Sequence, residues 1–297
     1  MKRILTAVAA LAFIGCVTVS AAEPQTKSLG ENKYSVSVGP VSITIDAGAG
    51  AKVLSFTRDG KEVISQLQRF NAFGSTFWTS PQKEWNWPPV AEFDRLAYDV
   101  EDNGRSLVMT SKLSEKFGYR IRKDFTADPK DNAIVITYSI INESKDTKKV
   151  APWEITRVPG DGLIFIAADP AKIEAASGEL LKFEGKYGAA WYTFDETKEN
   201  RKINADGKGW LAYTNNGLLL VKKFPDLTAS QPAPEEAEIQ VYVNEGKTFI
   251  ELESQGAYVE LKPGEAVNYT VRWYLVPQPK DPVPSKKLLS TVKKLVK

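Results

Sequence analysis

Short runs rich in Val, Ile, Tyr, Phe and Thr follow one another from residue 34 onward, and this succession limits the possible folds of the chain more than any other feature. Many runs alternate apolar and polar residues, which is typical of a strand with one buried face. The clearest include YSVSV, VSITI, NAIVITYSII, GLLLV, KTFIELES and VNYTVRWYLV. Between them stand tight-turn dipeptides such as Asp59-Gly60, Asn103-Gly104 and Asn216-Gly217, whose residues tolerate a positive φ. The sequence therefore predicts an all-β, antiparallel protein.

The N-terminus has the pattern of a signal peptide. The basic pair Lys2-Arg3 precedes an apolar run from Ile4 to Val19, and small residues follow up to Ala22. No later segment approaches the roughly 20 apolar residues that a membrane-spanning helix needs. We therefore expect cleavage near Ala22 and a periplasmic or secreted protein. In the alternative, the lipobox-like sequence ending at Cys16 directs a lipid to that cysteine and anchors the protein in the outer membrane.

The rest of the chain is predicted to form one domain, because no linker divides it and all-β sandwiches of this size are commonly single domains. Residues 23–33 form an N-terminal extension, residues 34–277 carry the strand pattern, and residues 278–297 form a basic tail. Apolar residues in this tail recur at helical spacing and predict a short amphipathic helix packed on the sheet; they are Leu288, Leu289, Val292, Leu295 and Val296.

Composition excludes several classes of site. The chain has no histidine, which rules out zinc sites, Ser-His-Asp triads and proton transfer by imidazole. Calcium on oxygen ligands is the one metal compatible with this composition, and the sequence lacks a dense Asp loop, so we expect no metal and no cofactor. Loss of Lys2 and Arg3 with the signal peptide leaves equal numbers of basic and acidic residues. This balance argues against a nucleic-acid partner.

The stretch GSTFWTSPQKEWNWPP, residues 74–89, contains three of the seven tryptophans, Trp78, Trp85 and Trp87. Its prolines, glycine and serines predict a loop. Indole rings stack on the C–H faces of sugars, and polar side chains such as Gln82 bind their hydroxyls. The stretch therefore predicts a site for a sugar or oligosaccharide. In the alternative, these tryptophans plug the open end of a sandwich.

Three stretches together carry a family resemblance: GAGAKVLSFTRDGKEVI, NAIVITYSIINESKDTKKVAPWEITR and TFIELESQGAYVELKPGEAVNYTVRWYL. They resemble the galactose mutarotase-like superfamily, which includes the aldose 1-epimerases, and more closely an exported bacterial family of a domain of unknown function. The resemblance covers most of residues 34–277. It implies an antiparallel β-supersandwich.

In the epimerases, the catalytic glutamate stands in a Glu-x-Gln pattern shortly before a Pro-Gly-Glu turn and deprotonates the anomeric hydroxyl. Glu253-Ser254-Gln255, followed by Pro263-Gly264-Glu265, matches this pattern. The resemblance therefore implies that Glu253 is the base. Leu252 should point to the core, which places Glu251 and Glu253 together on the opposite face of their strand.

The epimerases also use a histidine as the acid on the ring oxygen, and this chain has none. Either Glu154 or a cation such as Arg157 or Lys222 takes that role, or the site binds sugar without turnover. A carboxylic acid can serve when burial raises its pKa, whereas a guanidinium stays protonated and binds a hydroxyl or carboxylate instead. The structural alternative is an ion pair between Glu154 and Arg157.

These observations predict one concave face with Glu253 and Glu154 as catalytic residues and six substrate-binding residues, which are Trp78, Gln82, Trp85, Trp87, Arg157 and Lys222. The predicted function is that of an exported carbohydrate-binding protein, with sugar epimerisation as its possible reaction. Two alternatives stay open at this stage. One is a non-catalytic accessory protein, and the other is a polysaccharide lyase or glycoside hydrolase that uses carboxylates.

Overall fold

The computed structural model describes residues 22–193, 195, 198–280 and 282–297. Residues 1–21 of the predicted signal peptide, with Cys16, lie outside this part of the chain. The strands are β1 (Gln25–Gly30), β2 (Lys33–Val38), β3 (Val41–Asp46), β4 (Lys52–Arg58), β5 (Lys61–Glu62), β6 (Ser75–Ser80), β7 (Asp99–Asp102), β8 (Leu107–Thr110), β9 (Tyr119–Asp128), β10 (Ala133–Asn142), β11 (Lys148–Pro159), β12 (Leu163–Ile166), β13 (Glu174–Ser177), β14 (Glu184–Lys186), β15 (Ala189–Thr193), β16 (Arg201–Ala205), β17 (Trp210–Asn215), β18 (Leu218–Lys223), β19 (Ile239–Val243), β20 (Phe249–Gln255), β21 (Val259–Leu261) and β22 (Ala266–Pro277).

Helices are short and few beside these strands. The α-helices are α1 (Ala91–Asp94) and α2 (Lys286–Leu295), and 3₁₀ turns span Arg69–Asn71, Gln82–Glu84, Pro170–Lys172 and Glu245–Lys247. Within the described ranges, no helix is long and apolar enough to cross a membrane.

The strands form two large sheets. A 12-stranded sheet has the order β1-β2-β3-β4-β6-β11-β20-β19-β16-β13, with β5 added to β4 and β21 to β11. A 10-stranded sheet has the order β14-β15-β12-β17-β18-β22-β10-β9-β8-β7. The strand pairs are antiparallel, as the alternating sequence pattern predicted. The predicted all-β class is confirmed.

The main core lies between the inner faces of the two sheets. Phe77 on β6 stacks on Tyr138 of β10, with ring centroids 4.3 Å apart, and Phe56 on β4 meets Trp273 of β22 edge to face at 5.4 Å. Each such pair contributes about 0.5–1.5 kcal/mol beyond the burial of its area. These contacts show which face of each strand points to the main core. A site on the surface of a sheet must lie on the opposite face.

Helix α2 covers part of the outer face of the 10-stranded sheet, as the spacing of its apolar residues predicted. Leu288, Leu289 and Val292 are buried in a second apolar cluster that includes Trp191. The helix begins at Ser285, whose side chain accepts a hydrogen bond from the Leu288 amide. This N-cap satisfies one of the free amides of the first turn.

Two segments differ from the sequence-based expectations. The predicted extension, residues 23–33, contributes β1, which pairs with β2 at the edge of the 12-stranded sheet. The predicted loop 74–89 is wrong for residues 75–80, because they form the buried central strand β6. These six residues contain no proline or glycine and include the β-formers Thr, Phe and Trp. The irregular segment begins at Pro81 instead.

Candidate functional site

The outer face of the 12-stranded sheet, which points away from the main core, carries the candidate site. Directly opposed residues of antiparallel strands point to the same face. The pairing of β11 with β20 sets Trp153 opposite Gln255 and Arg157 opposite Glu251. Leu252 lies opposite Thr156, on the face that Phe77 of β6 packs against the other sheet, so Leu252 points to the core as predicted and Glu253 belongs to the outer face. The two strands thus bring tryptophan, arginine and carboxylate side chains together.

Glu253 is the most constrained carboxylate of this face, with 1% of its surface exposed. Its Oε2 accepts hydrogen bonds from Trp153 Nε1 and from Lys202 Nζ, both at 2.8 Å. Its Oε1 has no hydrogen-bond partner among the described residues. Burial raises the pKa of Glu253, while the nearby Lys202 ammonium opposes this shift. One oxygen is therefore held in place, and the other is buried without a hydrogen-bond partner among the described residues.

Arg157 pairs with Glu251 rather than with Glu154. Its Nε lies 2.9 Å from Glu251 Oε1, and its Nη1 donates to Thr76 Oγ1 at 3.3 Å. The alternative pair with Glu154 does not form, because residues three positions apart on a strand point to opposite faces. The guanidinium also lies 5.8 Å from the ring centroid of Trp78. Arg157 therefore borders the tryptophan cluster described next.

Four tryptophans form a connected aromatic cluster, which we call the tryptophan cluster: Trp78, Trp85, Trp87 and Trp153. The ring of Trp78 makes edge-to-face contacts with the other three, at centroid distances of 5.6 Å to Trp85, 6.3 Å to Trp87 and 5.4 Å to Trp153. Trp78 and Trp85 are only 7% and 8% exposed, whereas Trp87 is 68% exposed. The predicted grouping of these rings is present, but only Trp87 offers a large open surface.

Hydrogen bonds fix the orientation of the two buried rings from the 74–89 stretch. Trp78 Nε1 donates to Asp94 Oδ1 of α1, and Trp85 Nε1 donates to the backbone oxygen of Thr79, both at 2.8 Å. Buried indole N–H groups require such partners. These hydrogen bonds therefore hold the two rings in place within the tryptophan cluster.

A network of amide and carboxylate groups lies beside the tryptophan cluster. Ser80 Oγ donates to Gln255 Oε1 at 2.7 Å, and Gln255 Nε2 donates to Gln240 Oε1 and Glu236 Oε2. Gln82 joins this network through its backbone amide, which donates to Glu236 Oε1 at 3.3 Å. Protein groups thus satisfy the side-chain hydrogen bonds of Gln255, the glutamine of the Glu-x-Gln pattern. These bonds help to position β20.

Glu154 and Lys222 do not join the outer face, so their predicted convergence with the other site residues is wrong. Glu154 adjoins Trp153 on β11 and therefore points inward, and Lys222 points inward from β18 of the other sheet. They form an ion pair with both side chains 0% exposed. Lys222 also donates to Thr156 Oγ1 at 3.0 Å, and burial lowers its pKa while Glu154 opposes the shift. A ligand on the outer face cannot reach this pair.

Sequence reasoning missed two cations of the outer face. Lys202 on β16 lies over the Trp153 ring, 4.7 Å from its centroid, in addition to its bond with Glu253. Lys52 on β4 donates to Asn71 Oδ1 at 2.8 Å, and its burial, assisted by the charge of Arg157, lowers its pKa to about 8. Neither lysine stands in a motif, and only the strand order brings them to the site. Among the described residues, no group of three or more acidic or cysteine side chains could hold a metal ion.

Comparisons with known proteins agree with this architecture. Similar crystal structures include a candidate aldose 1-epimerase from Escherichia coli K12, with a TM-score of 0.58 and 13% identity over 81% of this chain and 97% of that one. A galactose mutarotase-like protein from Lactobacillus casei has a TM-score of 0.57 and 12% identity over 85% and 100% of the two chains. A TPR-domain containing protein from Parabacteroides distasonis has a TM-score of 0.61 and 16% identity over 85% of this chain and 49% of its own.

At these identities the likeness concerns the fold alone. No curated protein sequence matches the chain. A family model described as a domain of unknown function, DUF4380, matches residues 49–276. Because that match covers more than half of the chain, this protein belongs to the DUF4380 family, and its fold is the galactose mutarotase-like β-supersandwich that the sequence resemblance implied.

Proposed function

We propose that this protein binds a carbohydrate on the outer face of the 12-stranded sheet, with a sugar hydroxyl on Glu253. The proposal rests on the different hydrogen bonding of the two carboxylate oxygens of Glu253. Oε2 is held by Trp153 and Lys202, whereas the buried Oε1 has no partner among the described residues. A buried polar atom without a hydrogen bond costs about 1–3 kcal/mol. A hydroxyl that donates to Oε1 would remove this cost.

The surrounding side chains suit a sugar as well. Trp78 and Trp85 supply rigid apolar walls, Arg157 supplies donors beside them, and Gln82 lies at the edge of the polar network. Apolar walls with a few fixed polar groups are typical of small-molecule sites. A hydrogen bond from a hydroxyl to a carboxylate is charge-assisted and contributes about 1.5–3 kcal/mol.

Calorimetric titration with a panel of neutral hexoses and uronic acids tests this proposal. We expect at least one sugar to bind, and Glu253→Gln to weaken that binding about tenfold or more, because the charged acceptor is lost. Glu238→Gln is the matched control, since Glu238 is also 1% exposed but accepts backbone amides of Gly209 and Leu227 outside the site. If Glu253→Gln binds every sugar as the wild type does, the proposal is wrong.

Aldose epimerisation is a second candidate function, and the raised pKa of Glu253 favours it. A carboxylate with a raised pKa is a better proton acceptor, and Oε1 has no partner among the described residues that would compete with an anomeric hydroxyl. Lys202 is the cation that hydrogen-bonds this carboxylate, so it replaces Glu154 and Lys222 as the candidate proton donor. Polarimetry of freshly dissolved aldoses tests this activity. If every aldose that binds mutarotates no faster with the protein than in buffer alone, the protein binds sugars without epimerising them.

Export belongs to the same proposal and rests on the N-terminal sequence pattern. Mass spectrometry of the protein from the periplasmic fraction should find an N-terminus near Glu23. Recovery of a membrane-bound form with lipid on Cys16 would support the anchored alternative, and retention of Met1 on the cytoplasmic protein would contradict export.

A further inference from the structure

We infer that Trp87 forms a second sugar-binding subsite outside the enclosed Glu253 region, and that the ligand is therefore an oligosaccharide. This inference rests on the proposed function and specifies its substrate class. A monosaccharide bound at Glu253 would not contact Trp87, whereas a longer glycan would contact both residues.

The exposure of Trp87 sets it apart from every other tryptophan. All seven tryptophans lie in the described part of the chain; Trp87 is 68% exposed, and the other six are at most 8% exposed. Aromatic side chains each bury about 150–250 Å² when packed and dominate the energetics of cores and binding surfaces. A single indole held open to solvent, beside a cluster of buried ones, thus offers an unused stacking surface.

The backbone forms a hydrogen-bonded turn immediately before Trp87. Asn86, which precedes it, adopts a left-handed conformation with φ of 59°, and its amide donates to the Gln82 oxygen at 2.7 Å. Asparagine adopts this conformation more readily than most non-glycine residues and suits such a turn. The ring of Trp78 contacts the Trp87 ring edge to face, at a centroid distance of 6.3 Å. Trp87 is therefore exposed to solvent and has an aromatic neighbour on one side of its ring.

A cavity of about 330 Å³ lies beside Trp87 and has the composition of a sugar subsite. Phe117 supplies a second aromatic ring, with Lys116 Nζ 4.9 Å from its centroid, and Glu92 and Lys116 supply hydrogen-bonding groups around it. Sugar rings need this combination of flat apolar faces and polar groups. A second protein copy would need a larger apolar area than one indole and one phenyl ring.

The tryptophan cluster connects the two subsites. Trp78 contacts both Trp153, which donates to Glu253, and Trp87. The ring centroids of Trp153 and Trp87 therefore lie within about 12 Å of each other. Two or more linked sugar rings can span a separation of up to this length.

Acrylamide quenching of tryptophan fluorescence tests the inference, because Trp87 is the indole that the quencher reaches most readily. The probes are malto-, cello-, chito- and galacto-oligosaccharides, each compared with its monosaccharide. We expect a bound oligosaccharide to protect the quenchable fraction and its monosaccharide to leave that fraction unchanged. Trp87→Ala should remove this fraction and weaken oligosaccharide binding about tenfold, as expected for a lost stacking partner, with monosaccharide affinity unchanged.

Tyr187→Ala is the matched control, since Tyr187 is also an exposed aromatic residue, at 48%, but lies in the turn between β14 and β15. It should bind oligosaccharides as the wild type does. Two results would overturn this inference and leave the proposed function standing. One is oligosaccharide binding without protection of Trp87, and the other is equal weakening of monosaccharide and oligosaccharide binding by Trp87→Ala. Protection that grows with protein concentration in the absence of sugar would assign the surface to self-association and overturn it too. Absence of binding to every saccharide would instead overturn the proposed function, and this inference with it.

Discussion

The buried pair of Glu154 and Lys222 is predicted to stabilise the fold and to leave ligand binding untouched. Both side chains are 0% exposed between the sheets. Removing one partner of such a pair leaves an unpaired buried charge and typically costs about 3–5 kcal/mol. For Lys222→Met we expect the lower end of this range, because Ser75 and Thr156 still contact Glu154 Oε1 and Ser254 contacts Oε2.

Urea denaturation measures this cost, and a second variant separates charge from packing. The double variant Glu154→Gln with Lys222→Met should recover at least half of the loss, since no unpaired charge remains, and the non-additivity reports the coupling of the two side chains. The sugar affinity of the folded single variant should equal that of the wild type. If Lys222→Met keeps wild-type stability but loses sugar binding, the pair belongs to the site and our placement of it is wrong.

Three other predictions concern stability. Burial lowers the pKa of Lys123 from 10.5 to about 7, so the unfolded state binds more protons between these values. Lys123 should therefore make the free energy of unfolding rise with pH there by up to about 1.4 kcal/mol per unit. Lys123→Met should remove this share of the slope in denaturation curves and leave the share of Lys52, whose pKa is lowered to about 8. Burial raises the pKa of Glu238 from 4.5 to about 7, so its contribution should fall as pH rises through that window, and a Glu238→Gln variant with the same fall would contradict this assignment. Leu289→Ala in α2 should cost about 2–5 kcal/mol, because this side chain is 4% exposed against the second apolar cluster; a cost below 1 kcal/mol by thermal unfolding would show that α2 is loosely docked.

Much of the fold follows from local patterns in the sequence. Alternation of apolar and polar residues depends only on neighbouring positions, so strands such as β9 and β10 could be predicted directly. The spacing of Leu288, Leu289 and Val292 likewise predicted α2 and its buried face. Strand β6 was not predicted, because its short run of β-forming residues directly precedes a segment with prolines at positions 81, 88 and 89.

The site was harder to predict, because it depends on which face of each strand is inner. In β20, a leucine between two glutamates settles the orientation, and Glu253 was placed correctly on the outer face. In β11, both faces carry apolar residues, such as Ile155 on one and Val158 on the other, so the alternation did not show that Glu154 points inward. Lys202 was missed because only the long-range pairing of β16, β19 and β20 brings it to Glu253.

A crystal structure of the protein with a bound oligosaccharide would test the central claim most directly. We predict a sugar hydroxyl oxygen about 2.5–3.0 Å from Glu253 Oε1, the range of O–H···O hydrogen bonds, while Oε2 keeps its bonds to Trp153 and Lys202. A saccharide bound elsewhere on the molecule, with Glu253 Oε1 left without a sugar contact, would contradict the account.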